Sequence, residues 1–218
     1  MTAAGDTMTA PEPAIPVDRS EPPEGMGLHE RIWLSYRDIR GAIRGLIAER
    51  PSEARLLFFV LMSDVIFFFS WTLSLVVAPG RETKAQLPIE IALMLIVIFL
   101  FRTATLYAFS GIVGAICRMI GGKGAWWETR TAVFWASLAA APVGVLCALI
   151  GAGLLHAALL EESTILLMRF TLGFAVFVYF PSAAVAEAQR FQRTSPVFIV
   201  FSVLAVTLGG ILMTLAKG

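Results

Sequence analysis

Apolar residues run along this chain in long blocks joined by short polar links, not in the brief alternating stretches of a soluble core. A helix must offer about 20 mainly apolar residues to cross the hydrocarbon of a bilayer. Five stretches do so: Leu56 to Ala78, Leu87 to Phe109 with an apolar continuation towards Ile120, Thr131 to Leu155, Ile165 to Ala186, and Val197 to Leu215. The links between them are short, which favours antiparallel neighbours. The pattern predicts an all-α polytopic membrane protein in which residues 51–218 form a bundle of five transmembrane helices.

A different period precedes the first span. Residues 28–50 read LHERIWLSYRDIRGAIRGLIAER. Leu28, Ile32, Tyr36, Ile39, Ile43 and Leu46 fall within about 80° of arc at about 100° per residue. Arg37, Arg40 and Arg44 cluster on another face. A basic amphipathic helix here is expected to lie on anionic lipid at the interface, the alternative being a helix packed under the bundle. Residues 1–27 are rich in Pro, Glu, Ala and Thr and lack the apolar centre of a signal peptide. A disordered cytoplasmic tail is expected there, because such a stretch buries too little apolar surface to offset its ordering entropy.

Composition sharpens the class. Of 218 residues, 57% are hydrophobic and 15% charged, against about a quarter charged in soluble domains. The formal net charge is +1, so no global field draws nucleic acid or an acidic substrate. Cys117 and Cys147 lie in apolar surroundings without CxxC spacing, and His29 and His156 are far apart. Neither a metal site nor a disulfide framework is expected.

Orientation follows from the basic residues. One side carries Arg31, Arg37, Arg40, Arg44, Arg50, Arg55, Arg118, Lys123, Arg130, Arg190 and Arg193; the other has only Arg81, Lys84 and Lys217. That asymmetry predicts a cytoplasmic N-terminus and, with five spans, a C-terminus on the far side.

The link GGKGAWWETR, residues 121–130, invites a phosphate-binding reading. A P-loop needs G-x-x-x-x-G-K-[ST] between a strand and a helix. Here Gly124 follows Lys123, Cys117 stands where the first glycine belongs, and an apolar helical run precedes it. Nucleotide is therefore not expected. Gly121 and Gly122 instead read as the end of the second helix, since glycine accepts the left-handed conformation there. Lys123 then faces headgroups, with Trp126 and Trp127 in the aromatic belt.

Three features are similar to the bacterial branch of the Yip (Ypt-interacting protein) domain family of five-pass membrane proteins. A lead-in, IRGLIAERPSEARLL, feeds the first span; the link GGKGAWWETRTAVFW brings Trp135 early in the third; and AEAQRF, residues 186–191, ends the fourth. The resemblance covers residues 35–215 and implies a five-helix bundle with a cytoplasmic N-terminus. For eukaryotic relatives it would imply small Rab-type GTPase partners. Their acidic-tyrosine-glycine-proline signature is absent before the first span, so that role is not carried over.

Ionisable residues inside spans are expensive and mark candidate sites. Asp64 and Arg102 fall at similar depth if the second helix stops at Phe109, and less closely if it continues to Ile120. Glu90 and Arg169 form a second candidate pair, and Glu187 is placed to meet Arg190 or the Gly-Lys-Gly link. Pro142 and Pro181 interrupt the third and fourth spans. No HExxH, GxSxG or paired carboxylates appear, and Ser63 and Ser70 share a span with Asp64 but with no histidine. Neither catalytic residues nor a cofactor are expected. The reading is a non-enzymatic membrane-organising or protein-interaction module in a bacterial inner membrane. Its partners would be the lipid bilayer and a protein engaged through residues 28–50. The alternative is a small transporter or the membrane subunit of one.

Overall fold

A computed structural model describes residues 27–77, 87–157 and 161–215, and every element among them is a helix. Two short helices, α1 (Leu28–Arg37) and α2 (Ile39–Ala48), precede α3 (Glu53–Val77). Then α4 (Leu87–Ile96) runs through a π-helical stretch, Val97–Arg102, into α5 (Thr103–Met119). The remaining helices are α6 (Trp126–His156), α7 (Glu162–Ala188) and α8 (Ser195–Leu215). The tail expected at residues 1–27 lies, but for Gly27, outside the described residues.

Four helical stretches are long and apolar enough to cross a membrane: Glu53–Leu73, Pro88–Met119, Trp126–Leu154 and Thr171–Ala188. In α8, Ser195–Thr207 forms a shorter apolar stretch. The described residues are thus all-helical, with four candidate membrane-spanning helices. The second of these stretches runs on to Met119 and does not stop at Phe109.

α6 is the axis of the bundle, packed against α1, α2, α3, α5 and α7, while α8 packs on α5 and α7. The ends of α3, α5, α6, α7 and α8 that meet α1, α2 and the 120–125 link are called proximal here. The core sits there, around Leu56, Phe59, Val113, Trp135, Leu138 and Val197. Alanines make close approach possible: Ala132, Ala136, Ala139 and Ala140 of α6, and Ala183, Ala184 and Ala186 of α7, are all buried. Distally the same helices show lipid-sized apolar side chains, among them Phe69, Leu93, Leu100, Phe101, Leu149 and Leu167. Such a surface suits hydrocarbon better than water.

The single helix expected over residues 28–50 is two helices. Asp38 leaves the helical region at φ −147° and ψ 87°, and its carboxylate accepts from the Gly41 N–H at 2.9 Å, capping α2. The apolar face survives the break but is turned onto protein: Ile39, Ile43 and Leu46 join the core. The apolar residues of α2 thus pack under the bundle.

Candidate functional site

Two polar assemblies stand out within this apolar molecule. The deeper one is centred on Asp64, which is fully buried in α3. Arg102, the last residue of the π-helical stretch, forms an ion pair with its Oδ1, and the Thr103 hydroxyl donates to Oδ2 at 2.7 Å. Arg102 also donates from Nη2 to the Ser63 hydroxyl at 3.0 Å, and its guanidinium lies 5.0 Å from the Phe67 ring centroid. Both carboxylate oxygens are thereby satisfied, as a buried charge requires. The helix widens into the π form immediately before Arg102 and Thr103, two consecutive residues that both reach Asp64.

The pair forms although α5 continues to Met119. Arg102 lies seventeen residues before Met119, whereas Asp64 lies eleven after Glu53. At about 1.5 Å per residue, α5 therefore overhangs the start of α3 by about 9 Å. The exposed Met119 and Ile120 are that overhang. The other candidate pair, Glu90 with Arg169, rests on a side chain outside the described residues.

The second assembly is the proximal junction between the 120–125 link and the end of α7. Gly121 adopts φ +100°, Gly121 N–H donates to Arg118 O at 3.1 Å, and Gly122 N–H donates to Cys117 O at 2.8 Å. This is a Schellman ending. α7 ends in the same way, with Phe191 N–H donating to Ala186 O and Arg190 to Glu187 O, but its left-handed residue is Arg190 at φ +61°. The two ends are joined by Gln189. Its backbone carbonyl accepts from Lys123 N–H at 3.0 Å, its Oε1 accepts from Gly124 N–H at 3.1 Å, and its Nε2 donates to Thr129. A Cβ at Gly124 would run into the Ala188 carbonyl, so only glycine lets these chains approach.

Side chains complete the junction. Glu187 accepts from Arg40 Nε at 2.8 Å and Arg44 Nε at 2.9 Å, an i, i+4 pair on one face of α2. Arg40 also donates to the carbonyls of Phe191 and Gln192, neutralising the carbonyl-rich end of α7. Hydrogen bonding to Glu187 raises the pKa of Arg44 further, its charge reinforcing the effect. The Glu187 side chain therefore pairs with Arg40 and Arg44, not with the Arg190 side chain or the glycine link that the sequence suggested. Arg190, turned away by its left-handed backbone, reaches Glu128 at 3.5 Å instead. Glu128 also accepts from Ala125 N–H at 2.6 Å and so caps the start of α6.

Lys123 and Trp126 are exposed, and the Arg118 guanidinium stacks 4.1 Å from the Trp126 ring centroid. Trp127 is half-buried beside Arg50, Pro51, Ser52 and Leu56. The two tryptophans are thus not equivalent: one faces outward and one closes the α2–α3 turn.

α1 is pinned to the same end. Tyr36 OH donates to Ala139 O at 2.6 Å and its ring packs on Phe180, while Trp135 Nε1 donates to Ser35 Oγ at 2.9 Å. Burial raises the Tyr36 pKa, keeping the phenol a donor. The opposite face of α1 leaves Trp33 61% and Leu34 37% exposed, with Arg37 over the Trp33 ring.

Pattern reading missed the roles of Gln189, Ser35 and the Arg40–Arg44 clamp, since nothing local identifies partners about 60 to 150 residues away. The break at Asp38 did carry a signal, an aspartate at a position able to cap the helix that follows. Among the described residues, no group of three or more His, Cys, Asp or Glu side chains could hold a metal ion. A scan of family models, curated proteins and solved structures finds no match to this chain.

Proposed function

We propose that the protein is a non-enzymatic five-pass membrane module of the Yip-domain type that organises or recruits another protein at its proximal face. That face is cytoplasmic in this reading, supported by the Arg and Lys residues gathered there, and the membrane is a bacterial inner membrane. The observation that carries the proposal is the presentation of α1. Its inner face is bonded to α6 through Tyr36 and Ser35, so Trp33 and Leu34 project from a rigid platform. Rigid, exposed aromatic residues are the usual anchors of interfaces.

Purification of the full-length protein in mild detergent, beside a Trp33→Ala/Leu34→Ala variant, tests this. A stoichiometric protein bound to the first and lost from the second is expected, with the variant's thermal unfolding unchanged. Absence of any stoichiometric companion from the wild type would defeat the proposal.

A second reading, the membrane subunit of a transport system, draws on one observation. A cavity of about 340 Å³ lies beside Arg102. Ser137→Cys, in a chain with Cys117 and Cys147 replaced, should react with a membrane-impermeant thiol reagent if that cavity is an aqueous route. No labelling from either side would end this reading.

A further inference from the structure

The cavity beside Arg102 is formed where α3, α5, α6, α7 and α8 converge with the π-helical stretch. Four phenylalanine rings line it, those of Phe67, Phe109, Phe177 and Phe201. Against them stand two polar groups, Arg102 and Ser137.

Ser137 is the informative one. It is only 8% exposed, yet its hydroxyl makes no hydrogen bond among the described residues. Its neighbours behave otherwise. Thr129 and Thr131 of α6, and Ser182 of α7, return their hydroxyls to the carbonyls of Ala125, Trp127 and Val178, four residues back. A hydroxyl that lines a space and is not spent on the protein is available to whatever occupies that space.

Charge and size narrow the occupant. The Asp64 carboxylate balances the Arg102 guanidinium, so the cavity carries no net charge to attract an ion. Arg102 has five N–H donors, more than Asp64 and Ser63 use. The occupant is therefore neutral and bears acceptor oxygens. An apolar cavity of about 150 Å³ accommodates benzene, so about 340 Å³ holds a fused bicyclic or substituted ring. Phenylalanine edges and faces suit a planar ring. Phe67 is also exposed on the outer surface of α3, which makes the way in lateral, through the bilayer.

We propose that this cavity binds a neutral, bilayer-soluble molecule with a planar, quinone-like ring whose oxygens accept hydrogen bonds from Arg102 and Ser137. The site is remote in sequence from the Trp33–Leu34 face and stands or falls independently of partner recruitment there.

Equilibrium binding to the full-length protein in lipid nanodiscs, referenced to empty nanodiscs, tests it with three probes. They are 2,3-dimethyl-1,4-naphthoquinone, whose substituted ring carbons resist thiol addition, its hydrocarbon counterpart 2,3-dimethylnaphthalene, and 2-naphthoate. The quinone should bind saturably and at least several-fold more tightly than the hydrocarbon or the anion. Ser137→Ala, which removes no internal hydrogen bond, should weaken the quinone by roughly 2- to 10-fold, the worth of one neutral hydrogen bond. It should leave the hydrocarbon unchanged. Ala205→Phe, which fills the cavity, should abolish quinone binding. No saturable binding by the wild type, equal affinity for quinone and hydrocarbon, or an unaltered quinone affinity in Ser137→Ala would each overturn the assignment. So would tighter binding of 2-naphthoate, which would mean that Arg102 recognises an anion.

Discussion

α6 contains two different kinds of protein in one helix. From Thr131 to Ala141 every residue is buried, against α1, α2, α3, α5 and α7. Beyond Pro142 only Ala148 and Gly151 are buried among the described side chains, and Leu146, Leu149 and Ile150 face outward. The proximal half is held much as a soluble core is held, by close packing, helix caps and hydrogen-bonded polar groups such as Thr129, Thr131 and Gln189. The distal half has apolar side chains facing where lipid would be, and surrounding hydrocarbon replaces a protein core. Asp64 and Arg102 sit near the boundary of the two regimes, where a charge pair must be complete because no water is at hand to repair it. Damage of the same chemical kind should therefore cost more in the proximal half than in the distal one.

The largest contrast is expected at that boundary. Asp64→Ala should destabilise the bundle by about 3–5 kcal/mol, because it strands a buried guanidinium. Asp64→Ala/Arg102→Ala should recover part of the loss, read from unfolding in mixed detergent–dodecyl sulfate micelles. A double variant as damaged as the single one would show that pairing is not what Arg102 contributes.

Glycines sharpen the comparison by sign. A Cβ at Gly124 meets the Ala188 carbonyl, so Gly124→Ala should cost about 1–3 kcal/mol. A Cβ at Gly153, in distal α6, meets nothing within 4 Å, and Gly153→Ala should stabilise by up to about 1 kcal/mol through helix propensity. Equal effects at the two sites would erase the distinction between the halves.

At the end of α7, Arg190 holds a left-handed conformation that costs a side-chain-bearing residue about 1–2 kcal/mol. Arg190→Gly and Arg190→Ala both remove the contact with Glu128, so the glycine variant should exceed the alanine variant in stability by that amount. Identical melting temperatures would mean that the αL backbone is not strained.

The smallest effect concerns α1. Tyr36→Phe keeps the ring on Phe180 but loses the hydrogen bond to Ala139, worth about 1 kcal/mol. The same residue sets an alkaline limit. Burial raises the phenol's pKa, so the folded chain holds the proton more tightly than the unfolded one. That contribution is complete below the ordinary tyrosine value near 10 and is lost as pH rises through the raised one. Wild type should lose stability over that window and Tyr36→Phe should not lose this part, as paired pH-dependent melts would reveal.

The apolar blocks predicted helices because a chain in hydrocarbon must satisfy its backbone internally, and helices do this locally. The ending at Gly121 was legible for a similar reason: a left-handed residue is a property of a few adjacent positions, and glycine tolerates it. Asp64 and Arg102 were legible as anomalies, since charge inside an apolar run stands out without knowledge of its partner. The course of the second helix past Phe109 was ambiguous, and the α5 overhang that reconciles it with the ion pair belongs to the packing.

The sequence by itself thus determined that this is a helical membrane protein, where most of its helices lie, and which residues are costly enough to need explanation. Only the tertiary structure decided that residues 28–48 fold onto the bundle as two helices, and that Glu187 is clamped by α2. It also joined two helix ends through Gln189 and left Ser137 facing a cavity. Those outcomes depend on groups far apart in sequence meeting within about 3 Å, and periodicity along one helix carries no information about which neighbour will stand opposite.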